Sequence, residues 1–136
     1  MARILLTEDD DGVRMFVQRA LMMDGHSVAT AEDGTDALEV LSESDDSFDL
    51  LLTDIQMPEM DGIALAKSAA KSWPDMTILM MTGFAEQRER CDSLSVIVHD
   101  VVSKPFSLAE IRSAVKGALS GRAAEEPVSI VRAMVG

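Results

Sequence analysis

Cysteine is nearly missing: Cys91 stands alone in 136 residues. No disulfide can form within the chain, and a reducing compartment is the simplest expectation. Aromatic residues make up only 4%, with no tyrosine and a single tryptophan. A core must therefore be filled by aliphatic and thioether side chains, and methionine is correspondingly frequent at 10. Positive charge is scarce as well: 12 Lys and Arg stand against 24 Asp and Glu, for a net charge of -12. That balance speaks against nucleic acid or an anionic membrane as partner, because both need cationic contacts. It leaves basic partners and bound cations open. Long hydrophobic runs are lacking too, since none approaches the roughly 20 residues that cross a bilayer. The first apolar run meets three acids at Glu8-Asp9-Asp10, so no signal peptide is expected. These features together predict a cytoplasmic protein of one domain.

What is present is an alternation of strand and helix patterns. Apolar runs at 2–7, 49–53 and 77–82 read as buried strands, and 26–31 as a weaker one nearer a sheet edge. A fifth strand covers 101–103, with an earlier start near Val96 also compatible. Residues 12–23 carry Val13, Phe16, Val17, Ala20 and Leu21 on one helical face, and Gly25 is placed to stop that helix. Further helices are predicted at 34–41 and 62–72. The polar stretch 85–94 is compatible with another. A last helix begins at the capping box Ser107-x-x-Glu110 and is expected to end at Gly121. Five strands alternating with five helices imply a doubly wound parallel sheet, covered by helices on both faces. Residues 1–120 form this unit. Residues 121–136 read as a tail, with Ile130, Val131, Met134 and Val135 at helical spacing.

In such sheets ligands bind beyond the carboxyl ends of the strands. Glu8 and Asp9, Asp54, Thr82 and Lys104 all fall there, each closing a separate apolar run. Three carboxylates brought together repel strongly, about 4 kcal/mol per pair at roughly 4 Å and an effective dielectric near 20. One lysine cannot cancel this. A hard cation with oxygen ligands can, and Mg²⁺ suits one or two carboxylates plus waters and phosphate oxygens. Asp54 could then act as a nucleophile towards phosphorus and form an acyl phosphate. The Thr82 hydroxyl and Lys104 ammonium could bind phosphoryl oxygens.

The residues Glu8-Asp9, Thr53-Asp54-Ile55-Gln56-Met57-Pro58-Glu59-Met60-Asp61-Gly62, Met81-Thr82-Gly83 and Ser103-Lys104-Pro105-Phe106 resemble the response-regulator receiver domain of two-component signalling. The resemblance spans residues 2–120. It implies a flavodoxin-like (CheY-like) sheet of order 2-1-3-4-5 with five helices. It implies that Asp54 is the phospho-acceptor, with Mg²⁺ held by Glu8, Asp9, Asp54 and the backbone carbonyl of Gln56. Thr82 and Lys104 would bind the phosphoryl group, and the Lys104–Pro105 peptide would be cis. The phosphodonor would be a histidine kinase or a histidine phosphotransferase. One departure stands out: Val101 occupies the place, three before the lysine, where an aromatic switch residue is common. In this respect the chain is similar to stand-alone receivers of the CpdR type. Output is then expected through a protein target that touches residues 83–106 or the tail.

Three other readings are weighed against this one. An aspartyl-nucleophile phosphatase of the haloacid-dehalogenase type needs D-x-D, and Gln56 stands where its second acid would be. A degenerate receiver that binds partners without phosphorylation is disfavoured by the intact acid set. A histidine phosphotransfer protein needs a helical bundle, which the strand runs exclude.

Overall fold

The computed structural model describes residues 2–45, 47–57, 60–83 and 98–123. The elements, in chain order, are β1 (Arg3–Thr7), α1 (Asp11–Met23), β2 (Ser27–Ala31), α2 (Gly34–Glu43), β3 (Leu50–Asp54), α3 (Gly62–Ser72), β4 (Thr77–Thr82) and β5 (Asp100–Ser103), then a final helix, α4 (Leu108–Ala123). All strand pairs are parallel, and the sheet order is β2-β1-β3-β4-β5. The edge strand β2 is only partly buried, whereas every residue of β3 is buried. This is why 26–31 reads weakly and Leu50-Leu51-Leu52 reads as an unbroken apolar run.

Side chains alternate across the sheet, and two apolar layers result. Leu5, Leu51, Ile78 and Met80 point to one side, where Leu65, Ala66 and Ala69 of α3 and Ala37 and Leu41 of α2 pack on them. Ile4, Leu6, Leu50, Leu52, Leu79 and Met81 point to the other. There they meet Val17, Ala20 and Leu21 of α1 and Ile111, Val115 and Ala118 of α4. The shortage of aromatic residues is met by leucine, isoleucine and methionine, as expected.

The helices start where short polar side chains can satisfy the free amides of the first turn. Asp10, Asp33 and Asp61 accept from the N–H groups of Val13, Asp36 and Ala64 at 2.9, 2.8 and 2.9 Å. Such caps contribute about 1 kcal/mol each. The predicted capping box is present: Glu110 N–H donates to the Ser107 hydroxyl at 3.0 Å, and Ser107 N–H to Glu110 Oε1 at 2.8 Å. Gly25 follows α1 with φ 85, the left-handed conformation that glycine adopts without strain.

Four expectations need correction or limits. Phe16 is 40% exposed rather than core, because the buried face of α1 narrows to Val17, Ala20 and Leu21. The last helix runs through Gly121 to Ala123. Glycine weakens a helix by about 1 kcal/mol relative to alanine, and that alone does not stop one. Strand β5 begins at Asp100, one residue before the expected Val101, and the alternative start near Val96 lies outside the described residues. His99 N–H nevertheless donates to the Ile78 carbonyl at 2.6 Å, so the ladder is joined one residue before the strand. Four helices lie among the described residues, and the predicted helix at 85–94 lies outside them.

Candidate functional site

Glu8, Asp54, Thr82 and Lys104 come from the carboxyl ends of β1, β3 and β4 and from just beyond β5. Parallel registry places them together. Asp54 pairs with Met81 across β3 and β4, and Thr82 with Ser103 across β4 and β5. Lys104 N–H donates to the Thr82 carbonyl at 2.6 Å, which fixes the start of the segment after β5. The Lys104–Pro105 peptide is cis, as the resemblance implied.

Carboxylate oxygens of Glu8, Asp9 and Asp54 lie within 4.8 Å of one another. Glu8 is 1% exposed and Asp54 6% exposed, while Asp9 faces solvent. The Lys104 ammonium lies 2.7 Å from Glu8 Oε1 and 3.3 Å from Asp54 Oδ1. Asp54 Oδ1 also accepts from the N–H of Ile55 at 3.0 Å. Thr82 is buried at the end of β4, and Gln56 is exposed two residues after Asp54.

Burial raises the pKa of Asp54, and Lys104 opposes this only in part. Burial also raises Glu8, against the hydrogen bonds from Lys104 and the Asp10 amide, and the charge on Asp54 adds to the rise. For Lys104, burial works against the charged form, but its hydrogen bond to Glu8 and the charge of Asp54 outweigh it and leave the pKa raised. The lysine is thus held firmly as a cation, while two carboxylates remain costly as anions. A single positive charge does not neutralise the cluster. The donor set therefore fits a small hard divalent cation: three carboxylates, all oxygen, two of them destabilised by burial.

The loop after Asp54 is closed by backbone contact. Gly62 N–H donates to the Ile55 carbonyl at 2.7 Å. A Cβ at Gly62 would lie 2.1 Å from the Asp54 carbonyl oxygen. The approach is possible only without a side chain, which is a physical reason for the Asp61-Gly62 pair that caps and opens α3.

Sequence reasoning missed three neighbours of the site. Asp10 donates its N–H to Glu8 Oε2 at 3.1 Å, and Arg14 donates to the Glu8 carbonyl at 2.9 Å. An apolar cleft of about 510 Å³, lined by Gly12, Val13, Phe16, Gly83, Pro105 and Phe106, flanks Lys104. The signal for the cleft was Phe16, whose helical spacing looked like a core position. The i, i+3 spacing of Asp11 and Arg14 was a readable cue for one of the arginine's contacts but not for the other.

Comparison with known proteins agrees with this geometry. A family model described as the response regulator receiver domain matches residues 4–116. The chain is 46% identical over 111 residues to the response regulator receiver protein CpdR of Brucella abortus (strain 2308), which covers 82% of this chain and 91% of that protein. It is 36% identical over 115 residues to the sensor kinase CckA of the same organism; these are 85% of this chain but 12% of the kinase. The response regulator TrrA of Thermotoga maritima, solved in complex with Mg(2+)-BeF, superposes with a TM-score of 0.77 at 29% identity, covering 85% of this chain and 97% of that one.

Proposed function

The chain belongs to the response-regulator receiver family, the phosphoryl-accepting switches of two-component signalling, and from that premise we propose that Asp54 is its phospho-acceptor. The observation that carries the assignment is the meeting of the Glu8, Asp9 and Asp54 oxygens within 4.8 Å, beside a lysine 3.3 Å from Asp54. An Asp54 carboxylate oxygen attacks phosphorus, and the bond from phosphorus to the donor's imidazole nitrogen breaks as the new oxygen–phosphorus bond forms. The electron pair leaves with the imidazole, which takes up a proton. Lys104 stabilises the phosphoryl oxygens as a fixed cation, and the Thr82 hydroxyl donates to one of them. Glu8, Asp9, Asp54 and the Gln56 carbonyl would hold Mg²⁺. When bound, that ion shields the negative carboxylate from the negative phosphoryl group.

The donor is a phosphohistidine on a histidine kinase or a phosphotransfer protein. The similarity to part of the sensor kinase CckA and to CpdR supports this class of partner. The apolar cleft beside Lys104 gives such a donor a surface to approach. We assign the receiver to the chain up to Ala123, where α4 ends, and the residues after it to a tail. Output passes to a protein target through residues 83–106 or through that tail. The net charge of -12 disfavours nucleic acid as a target. No helix among the described residues is long and apolar enough to cross a membrane, and the site of action we assign is the cytoplasm, where the phosphodonors operate.

Acetyl phosphate with Mg²⁺ should add one phosphate to the intact mass of the wild type and none to Asp54→Asn. Chelation by EDTA should abolish labelling. Equal labelling of both proteins would sink the assignment.

A further inference from the structure

Arg14 sits one turn into α1 and reaches back to the end of β1. Its Nη1 donates to the Glu8 carbonyl oxygen at 2.9 Å, and its Nη2 pairs with Asp11. The arginine side chain is 16% exposed, whereas that of Asp11 is 80% exposed. With the arginine in place, every polar group of Glu8 is engaged. Its N–H donates to the Ala31 carbonyl at 3.1 Å, and its carbonyl accepts from Arg14. Oε1 accepts from Lys104 at 2.7 Å, and Oε2 from the Asp10 N–H at 3.1 Å. These partners come from β2, α1, the segment after β5 and the loop itself.

We propose that Arg14 is a positioning residue for the cation site: by holding the Glu8 carbonyl, it fixes the peptide between Glu8 and Asp9 and so aims the Asp9 carboxylate. The inference rests on the reading of Glu8, Asp9 and Asp54 as the cation ligands. The carbonyl of Glu8 belongs to the peptide plane that precedes the Asp9 Cα, and rotation of that plane swings the Asp9 side chain. Asp9 is exposed, so packing does not hold it in place. Its flanks do: Asp10 is fixed as the N-cap of α1, and Glu8 by its four contacts. Removing the arginine frees the peptide on one side, and the ordering of Asp9 must then be supplied by the incoming ion.

The charge of Arg14 makes the idea sharply testable. As a bare positive charge near the acids, it should repel a cation, so its loss should tighten binding. As a positioning group, its loss should weaken binding. The two roles predict opposite signs.

The test is Mn²⁺ binding to the full chain, read from the electron paramagnetic resonance of free aqueous Mn²⁺. Arg14→Gln should raise the Mn²⁺ Kd about tenfold, the lower range for loss of a group that orients a metal ligand. Asp11→Asn should stay within about twofold of the wild type, since the bond to the Glu8 carbonyl survives and surface ion pairs contribute little. Arg14→Lys can still donate one hydrogen bond and should fall between the two. An unchanged or lowered Kd in Arg14→Gln would overturn the proposal, whatever happens to its melting temperature. If Arg14→Gln melts below the assay temperature, the same titration run below its melting temperature decides in the same way: a raised Kd supports the role and a wild-type Kd removes it. Undiminished binding in Asp54→Asn would instead undo the cation-site reading itself.

Discussion

The Lys104 ammonium is closer to Glu8 than to Asp54, 2.7 Å against 3.3 Å, so this cation is shared between two buried acids. Both acids have raised pKa values, with burial as the leading cause. A carboxyl whose folded pKa lies above its unfolded value favours folding while it is protonated. That contribution is lost as pH rises through the folded pKa. The site therefore works against the fold as pH climbs from about 4 towards neutrality.

This linkage gives a prediction for Asp54→Asn, which removes one of the two charges. Its melting temperature relative to wild type should increase between about pH 4 and about pH 7, the range that begins at ordinary carboxylate pKa values. Saturating Mg²⁺ should close part of the gap at neutral pH, because the ion binds the folded wild type. Differential scanning calorimetry at several pH values, with and without Mg²⁺, measures both. A gap that is flat with pH and indifferent to Mg²⁺ would contradict the electrostatic account.

Gly62 and Gly117 should respond in opposite directions to the same substitution. A Cβ at Gly62 meets the Asp54 carbonyl oxygen at 2.1 Å and the Ile55 Cα at 2.9 Å, and backbone cannot step aside as a flexible side chain can. Gly62→Ala should cost about 3 kcal/mol, the upper end of overpacking penalties, and should slow acetyl-phosphate labelling of Asp54. At Gly117, on the exposed side of α4, a Cβ meets none of the described residues within 4 Å. Gly117→Ala should stabilise by about 1 kcal/mol through helix propensity. Urea melts of the two variants would settle both, and a neutral Gly62→Ala would mean the backbone approach of Gly62 to Asp54 has slack.

Most of the architecture was readable because it is written in local pattern. The runs 77–82 and 62–72 match β4 and α3 to the residue, since each is bounded by chemistry that ends it: Trp73-Pro74 after the helix, Gly83 after the strand. The acid cluster was readable from its place at strand ends. What was not readable is which atoms meet between distant parts of the chain: that Lys104 bonds Glu8, 96 positions away, more closely than Asp54, and that Arg112 bonds Asp24, 88 positions away. No periodicity announces such pairs, and Arg112 ties α4 to the end of α1. The width of a buried helical face is also set by the neighbour and not by the helix. That is why Phe16 fell outside the core while Val17 fell inside.

Thr7 ends β1 with its side chain fully buried, and its hydroxyl has no hydrogen-bond partner among the described residues. An unmet buried hydroxyl costs about 1–3 kcal/mol. Thr7→Val keeps the shape and removes the oxygen, so it should stabilise the protein by about 1 kcal/mol. Chemical denaturation would check this. A loss of stability instead would indicate that a buried water satisfies the hydroxyl.

The switch itself should run through Thr82 and not through a swinging ring. Val101 pairs with Met80 in register and packs, partly buried, against the core layer of α2 and α3. Its β-branched side chain has a restricted χ1 and can repack only slightly. Thr82 is buried one residue beyond Met81, the register partner of Asp54, and a Cβ added at the following Gly83 would meet none of the described residues within 4 Å. Charge added at Asp54 should therefore draw the Thr82 hydroxyl inward, with the Gly83 backbone free to follow. Amide hydrogen exchange with and without beryllofluoride, a phosphoryl mimic, reads the result. Protection should change across 83–98 in the wild type, and Thr82→Ala should lose that change while still binding the mimic. Changes confined to 26–48, on the α2 side of the sheet, would place the output face elsewhere.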